Sequence, residues 1–450
     1  MMAMIQEFRV TNFLSFRDET VLSFEPVGTG RRNKGKKKGN DALLYKVNDK
    51  TELLRIAVFY GANASGKTNI LKAIDFLVAF CRKREAISGS PTGVIPFKLN
   101  TITRELPSKF NIRFFINETR YWYSLVLDTK QVLSEQLYVY KSPQPTAIFK
   151  RTGNTIEFNT AENQVSSTAK ELLELNCLSN LSFFAAKAKV NIHLNHIDPV
   201  MRFFEETFMQ SEIDHDILFN VAEEYITKDP EAKKHLLRFL KEADFNISEI
   251  TSKKEEIMIP DQIRNMILAD PSSPASVKEK LKEKSSISKT KTLFTHQVDT
   301  IEGMEEYVFS SVEESLGTLR IFGLENYLYV LERTDNIAII DEFDSSLHPN
   351  LVDFVISKFA QYADSSSQLI ISTHYTGLLD NPDLRDDCFW TTVKDKSGAS
   401  TIRSFGKIKD ARLTSKEKGY RLGKLGGTPN LKLEPDTASD DVKELTLFDF

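Results

Sequence analysis

The first 60 residues alternate between apolar and polar side chains as β-strands do, for example in FRVTNFLSF and VLSFEPV. This region ends with LLRIAVFY (53–60), a short apolar run typical of a buried strand. A glycine-rich turn follows, and apolar residues then recur at helical spacing over residues 70–78. The pattern therefore predicts a strand, a loop and a helix in succession.

Three further regions are distinct. Residues 108–160 alternate aromatic and β-branched residues between turns such as INET and RTGN, which predicts an antiparallel meander. From 167 to about 300 the pattern is helical, as in VMRFFEETF and AKKHLLRFLKEA. Beyond 300, the apolar strands IAII (337–340) and QLIIST (368–373) bracket a helix, NLVDFVISKFAQYA. We expect an α/β fold with a mostly parallel central sheet and an antiparallel β subdomain. We predict four parts: an N-terminal part (1–165) that holds the glycine-rich turn and the antiparallel β subdomain, a helical insertion or lid (166–300), a C-terminal part (301–430) that holds the two later strands, and an acidic tail (431–450).

Composition narrows the class of protein. The 450 residues carry 59 Lys and Arg against 63 Asp and Glu, a net charge of −4, so only local basic patches could bind nucleic acid. The three cysteines are far apart, without zinc or disulfide spacing, which suits a reducing compartment. No stretch of about 18 apolar residues and no signal-like start occurs. We expect a cytoplasmic protein with no membrane partner.

The glycine-rich turn GANASGKTN (61–69) fits the phosphate-loop pattern G-x-x-x-x-G-K-[ST]. Gly61 and Gly66 let backbone N–H groups approach phosphate oxygens, and Lys67 adds a point charge. Thr68 offers a hydroxyl to Mg²⁺, while the following helix directs its positive end at the anion. A chance glycine turn is the alternative, but the strand and helix lie where the motif requires them.

Two acidic residues and a histidine follow the later strands. Asp341 and Glu342 come directly after IAII, where a carboxylate can hold Mg²⁺ against a phosphate loop and its neighbour can polarise water. His374 ends QLIISTH and is a candidate contact for the γ-phosphate; the alternative is a polar residue that caps a strand.

These motifs resemble the ABC-type ATPases of the SMC, RecF and OLD group, especially the stand-alone bacterial ATPases found beside abortive-infection and antiphage genes. The similarity covers FRVTNFLSF, GANASGKTN, ADFNISEI, ESLGTLRIF, DEFDSSLHP, STH and YRLGKLGGTP, nearly the whole chain. It implies an ABC-type P-loop ATPase head that binds ATP and Mg²⁺, and two heads that sandwich two nucleotides. The residues that this resemblance assigns to the nucleotide are Gly61, Asn63, Ala64, Ser65, Gly66, Lys67, Thr68 and Asn69.

The same resemblance assigns a signature, Ser315, Gly317 and Thr318, which would complete the site of a second head. It makes Thr68 and Asp341 the metal ligands and Glu342, His374 and Lys67 the catalytic residues, with Ser346 and Leu347 in the D-loop. The signature departs from L-S-G-G-Q, and His348-Pro349 replace the usual D-loop aspartate. No Q-loop glutamine can be assigned, because Gln131 and Gln136 lie in the meander.

Three charged segments leave alternatives open. The basic loop RRNKGKKKGN (31–40) and the segment 401–424 are either nucleic-acid or partner surfaces or solvated turns. The last twenty residues carry six acidic residues and two lysines and end in LTLFDF. They predict either a segment that docks in a groove of another protein or a packed terminal strand.

The predicted function is Mg²⁺-dependent ATP hydrolysis. By resemblance, the protein is a sensor or scaffold in an antiphage (abortive-infection) system that controls an effector, a nuclease or toxin, from an adjacent gene. It would also assemble with itself. The alternative is a RecF-like repair ATPase that binds DNA directly. An ATPase fused to its own nuclease is disfavoured, because only about 75 residues follow STH and they hold no metal-ligand run. A transporter head is disfavoured by the signature.

Overall fold

A computed structural model describes residues 1–27, 42–211, 215–270, 278–279, 281, 286–362, 365–408 and 415–429. Its strands are β1 (Ala3–Thr11), β2 (Thr20–Ser23), β3 (Leu44–Asn48), β4 (Thr51–Leu54), β5 (Ile56–Tyr60), β6 (Ser108–Ile116), β7 (Thr119–Leu127), β8 (Val132–Tyr140), β9 (Thr146–Thr152), β10 (Thr155–Phe158), β11 (Ile247–Met258), β12 (Ser286–Thr300), β13 (Gly303–Ser310), β14 (Ile337–Ile340), β15 (Gln368–Ser372), β16 (Phe389–Lys394) and β17 (Ser400–Ser404). Its helices are α1 (Lys67–Arg82), α2 (Ser167–Asn176), α3 (Phe183–Ala188), α4 (Ile197–Arg202), α5 (His215–Lys228), α6 (Pro230–Glu242), α7 (Asp261–Ala269), α8 (Leu316–Thr334), α9 (Pro349–Gln361) and α10 (Lys416–Arg421).

The central sheet has the strand order β14-β15-β5-β16-β17. Its first four strands are parallel, and β17 pairs antiparallel at the edge. Every residue of β5, β14 and β15 is buried, because a parallel sheet is covered on both faces and its strands are therefore continuously apolar. Helix α1 buries the apolar positions that recur over 70–78. The predicted strand, loop and helix and the two later strands are confirmed.

The second sheet is antiparallel, with the order β10-β9-β8-β7-β6-β1-β2. Strands β6 to β10 follow one another as a meander, and β1 lies between β6 and β2. Buried and less buried residues alternate along β7 and β8, as expected for a sheet with one face on the core. The predicted antiparallel subdomain is confirmed, and the α/β fold class with it.

The two sheets are joined by the side chain of Gln368, the first residue of β15. Its amide oxygen accepts from the Ile5 N–H (2.6 Å), and its amide nitrogen donates to the carbonyl oxygens of Ile5 and Leu54 (both 3.0 Å). Gln368 is fully buried, so these bonds satisfy a polar group that would otherwise be costly in the core.

The prediction of a helical insertion over 166–300 is wrong for residues 247–258 and 286–300, which are strands, although α7 between them is helical. There β11, β12 and β13 form a three-stranded antiparallel sheet, and the boundary at residue 300 falls at the turn between two of its strands. The Lys- and Glu-rich segments favour helix locally, but pairing buries Ile250 and Phe294 against the body, where Phe294 contacts the Phe322 ring. Tertiary packing therefore overrides local propensity here.

Helix α8 connects this sheet to the parallel sheet and is buried along most of its length. The His235 side chain of α6 hydrogen-bonds through Nε2 to Glu325 Oε1 (2.7 Å), which fixes α8 against α6. Near the end of α8, burial raises the pKa of the Glu332 carboxyl to about 9, and the negative charge of Glu325 adds to this effect. Burial therefore disfavours the charged form of this carboxyl.

Candidate functional site

The phosphate-loop sequence lies between the carboxyl end of β5 and the start of α1. Gly66 has φ +117°, a backbone conformation that other residues rarely adopt. A Cβ at this position would lie 2.6 Å from Ser400 Oγ and 2.9 Å from Ser400 Cβ. The loop thus closes tightly on β17, and only glycine fits at residue 66.

Three distant segments hold the loop in place. Ser400 Oγ donates to the Ser65 carbonyl oxygen (2.6 Å), and the Ser65 hydroxyl contacts the hydroxyl of Thr392 on β16. The Ser400 N–H donates to the carbonyl oxygen of Ser15 (2.7 Å). The hydroxyl of Ser15 in turn accepts a hydrogen bond from the Asn69 side chain (2.8 Å). Sequence reasoning did not assign Ser15, Thr392 or Ser400 to the site. Only the quoted phrase FRVTNFLSF contained any of them, as a resemblance.

Lys67 is buried, and its ammonium lies within the loop. Nζ donates to the carbonyl oxygens of Gly61 (2.8 Å) and Ala62 (3.3 Å). Burial lowers the pKa of Lys67, and the nearby charges of Asp341 and Glu342 oppose this effect. An ammonium bonded only to loop carbonyls can exchange them for stronger, charged acceptors such as phosphate oxygens.

The two acidic residues follow β14 and meet β15 through one serine. Ser372 Oγ hydrogen-bonds to Asp341 Oδ1 and accepts from the Glu342 N–H (2.9 Å). Glu342 has φ 48°, an uncommon value for a residue that is not glycine, and it is exposed. Such a conformation is often retained where it positions a functional group. Sequence reasoning gave Ser372 no role, although the quoted phrase STH contains it.

His374 lies just beyond β15 and is exposed. Its backbone N–H donates to the carboxylate of Asp344 (3.1 Å to Oδ1), so Asp344 ties the loop after β14 to the loop after β15. Because β14, β15 and β5 are parallel neighbours, their following loops lie at one edge of the sheet. That edge brings Lys67, Asp341, Glu342 and His374 together, although their positions in the sequence are far apart.

The signature residues lie at the start of α8. Ser315 caps this helix, because its Oγ accepts from the Thr318 N–H (3.0 Å) and lies 2.8 Å from the Thr318 hydroxyl. A Cβ on Gly317 would lie 3.1 Å from the Ser346 carbonyl oxygen, so the signature packs against the D-loop of its own chain. Within the described residues, no hydrogen bond joins the signature to the phosphate loop of the same chain.

Arg320 lies one turn further along α8 and is 3% exposed. Burial lowers the pKa of its guanidinium, while the charges of Asp344 and Glu342 oppose that shift. Its Nε has no hydrogen-bond partner in the described part of the chain. A buried cation on the signature helix therefore faces the acidic loop that follows β14.

Gln210 lies two residues after a single β-bridge that extends the parallel sheet beyond β14. Phe208 pairs in parallel with Ile337, and the Met209 N–H donates to the Ile337 carbonyl oxygen (2.9 Å). Gln210 and Asn69 line the same cavity of about 890 Å³ along α1. By contrast, Gln136 lies in β8 of the antiparallel sheet, and Gln131 lies in the turn before that strand. Sequence reasoning did not identify Gln210, because the single β-bridge two residues before it has no periodicity.

Further predictions concern the cysteines, metal and membrane binding, and the two charged segments 31–40 and 431–450. The three cysteines are free and buried. Among the described residues, no group of three or more His, Cys, Asp or Glu side chains could hold a metal, and no helix is long and apolar enough to cross a membrane. The basic loop 31–40 and the tail 431–450 lie outside the described residues. No observation tests Thr68 and Asp341 as metal ligands, so this assignment stays a prediction.

Comparisons with known proteins give one family match and many structural likenesses, two of which are SMC head domains. The SMC head domain from Thermotoga maritima is 12% identical, with TM-score 0.39, over 89% of this chain and 98% of that one. An SMC head bound to the C-terminal winged-helix domain of ScpA is 14% identical, with TM-score 0.37, over 91% and 99%. No curated protein matches the chain. The family model described as "AAA domain, putative AbiEii toxin, Type IV TA system" matches residues 56–380, which include the phosphate loop, the acidic pair and His374. Since this match spans most of the sequence, the chain belongs to that AAA family of ATPases.

Proposed function

We propose that the protein binds ATP at residues 61–69 and hydrolyses it with Mg²⁺. One observation carries this proposal: Lys67, within the phosphate loop, faces Asp341 and Glu342 at the same edge of the parallel sheet. The narrow loop at Gly66 and the loop carbonyls that hold Lys67 fit a triphosphate, whose oxygens would replace those carbonyls.

Each residue then has a defined role. Thr68 and Asp341 would hold Mg²⁺, which would neutralise charge on the phosphates. Glu342 orients the attacking water and accepts its proton, supported by the bond from its N–H to Ser372. His374 contacts the γ-phosphate, and Lys67 stabilises the charge that develops there. Gln210 is a further candidate for this region, because it lines a cavity that begins beside Asn69.

A second copy of the chain completes the site. Helix α8 begins with the signature residues Ser315, Gly317 and Thr318, and the N–H groups at its start favour an anion. Among the described residues, these three have no hydrogen bond to the phosphate loop of their own chain. Leu316, between them, is 68% exposed, which leaves this surface available to another molecule. We infer that the signature of one chain contacts the nucleotide bound to its partner.

The biological role that we propose is control of an effector in an antiphage or abortive-infection system. The family description, which names an AbiEii toxin and a toxin–antitoxin system, supports this role for a member of the family. The net charge of −4 disfavours a protein that coats DNA. The effector, a nuclease or toxin, would be encoded beside this protein.

Two substitutions test the ATPase proposal. We expect Lys67→Ala to abolish ATP binding, and Glu342→Gln to retain binding while it slows hydrolysis about 100-fold, or about 3 kcal/mol. Nucleotide affinity and phosphate release are measured for both. Lys72→Ala is the matched control, because Lys72 is an exposed lysine of the same helix. Normal hydrolysis by Glu342→Gln would show that Glu342 is not the base, and salt-dependent DNA binding would favour the repair alternative.

A further inference from the structure

Strand β13 and the loop after it expose a series of large apolar side chains. Val308 is 57% exposed and Val312 is 91% exposed. The other exposed members of this series are Ile301, Met304, Tyr307 and Phe309. In the described part of the chain, β13 pairs only with β12, so it is the edge of its sheet and one row of its backbone N–H and C=O groups has no strand neighbour. We call this surface the β13 edge.

The β13 edge lacks the usual protection against association. Native edge strands commonly carry lysine or proline, or are covered by another element. The sequence GMEEYVFSSV (303–312) contains neither residue. Its two glutamates and lack of basic residues also disfavour a nucleic acid, whose phosphates they would repel. Exposed apolar surface of this kind is typical of a protein interface.

We propose that the β13 edge pairs antiparallel with the β13 edge of a second copy of this chain. A two-fold register centred on Val308 places Tyr307 opposite Phe309 twice, and aromatic cross-strand pairs are stabilising. In this register Glu306 lies opposite Ser310, the last residue of β13. A register centred on the glutamates would instead bring like charges face to face. The strand is thus complementary to itself in one register.

The second copy is the occupant because the β13 edge continues into the signature. Strand β13 ends at Ser310, and Ser315 caps the signature helix. His296 of β12 bonds through Nε2 to Glu314 Oε1 (2.5 Å), so the residue before the signature is fixed to the same sheet. This step rests on the proposed function, in which the signature contacts a second copy. Pairing of the β13 edge would position both signatures at once.

Cysteine cross-linking tests the register directly. The three native cysteines are buried, so Val308→Cys introduces the exposed thiol. We expect Val308→Cys to form a disulfide-linked dimer, because the two central residues of the register oppose each other at about 5 Å between Cα atoms. Met304→Cys alone should not, because its copy lies eight residues along the strand, roughly 26 Å away. A mixture of Glu306→Cys and Ser310→Cys should cross-link, because these two positions of β13 oppose each other in the register.

Leu175→Cys is the matched control, since Leu175 is a comparably exposed apolar residue on α2. Absence of a Val308→Cys dimer, or equal cross-linking by Leu175→Cys or Met304→Cys, would overturn the proposed pairing. Cross-linking is measured without nucleotide, so it reports on the β13 edge alone. ATP binding by wild type and Lys67→Ala is measured separately, so failure of the ATPase proposal is distinguished from failure of the pairing.

A charge substitution gives a second readout. In a Glu342→Gln background with ATP and Mg²⁺, we expect Val308→Lys to weaken dimerisation at least tenfold, because it places two lysines opposite each other. Nucleotide affinity should be unchanged, since residue 308 is outside the phosphate loop. Leu175→Lys should leave dimerisation unaffected. Analytical ultracentrifugation measures the effect, and a Val308→Lys protein as dimeric as the Leu175→Lys control would refute the inference.

Discussion

Ser372 provides a sharp test of how the acidic loop is positioned. Its hydroxyl bonds to Asp341 Oδ1 and accepts the Glu342 N–H (2.9 Å), and the residue is fully buried. Replacement by alanine removes both contacts without adding bulk. We expect Ser372→Ala to slow ATP hydrolysis, because the proposed metal ligand and the proposed base would lose their common support.

The size of the effect follows from these two bonds. A hydrogen bond to a carboxylate contributes about 1.5–3 kcal/mol, and the Glu342 N–H would keep only its longer bond to Asp341 Oδ1 (3.2 Å). If about 2–3 kcal/mol of the total is lost from the transition state, hydrolysis slows roughly 30- to 150-fold. Affinity for ATP without Mg²⁺ should change little, because Lys67 and the phosphate loop do not contact Ser372.

The assay is phosphate release at saturating ATP, beside ATP affinity measured in a chelator. Ser366→Ala is the matched control, because Ser366 precedes the same strand, is 1% exposed, and its hydroxyl has no partner among the described residues. We expect the control to hydrolyse ATP normally. Hydrolysis by Ser372→Ala within about threefold of wild type, or an equal loss in the control, would refute the positioning argument.

Three further predictions concern assembly, the tail and pH. Gly317→Asp should block ATP-driven dimerisation without weakening ATP binding, because it adds a carboxylate where we propose the partner's phosphates lie; mass measurement with ATP and Mg²⁺ checks this. Deletion of residues 434–450 should leave hydrolysis intact but abolish co-purification with the adjacent gene product, and a truncated protein that keeps this partner would contradict it. Glu332→Gln should raise the melting temperature at about pH 8.5 but not at about pH 5. The raised pKa of Glu332 means that its stability contribution is complete below the ordinary value of 4.5 and is lost as pH rises towards about 9. Equal melting curves at both pH values would contradict this expectation.

Local motifs and strongly periodic segments were predictable from sequence, whereas long-range contacts were not. The strand, loop and helix around Lys67 are contiguous and carry their own chemistry. Ser400, which closes the loop, lies 335 positions from Ser65, and only the folded sheet brings the two together. The sheet of β11 to β13 was missed because its Lys- and Glu-rich segments resemble helix, and burial of Phe294 decides the outcome. Gln210 lies two residues after a single β-bridge, which has no period in the sequence.

The strand order of the central sheet has a consequence for synthesis on the ribosome. Strand β5, which precedes the phosphate loop, lies between β15 and β16, and both come from the last quarter of the chain. The loop itself is closed by Thr392 and Ser400. An emerging polypeptide therefore cannot finish this pocket until Ser400 has been translated, even though residues 61–69 leave the ribosome early. Capture of the proposed nucleotide would then require translation as far as β17, and a fragment truncated before residue 390 should bind none.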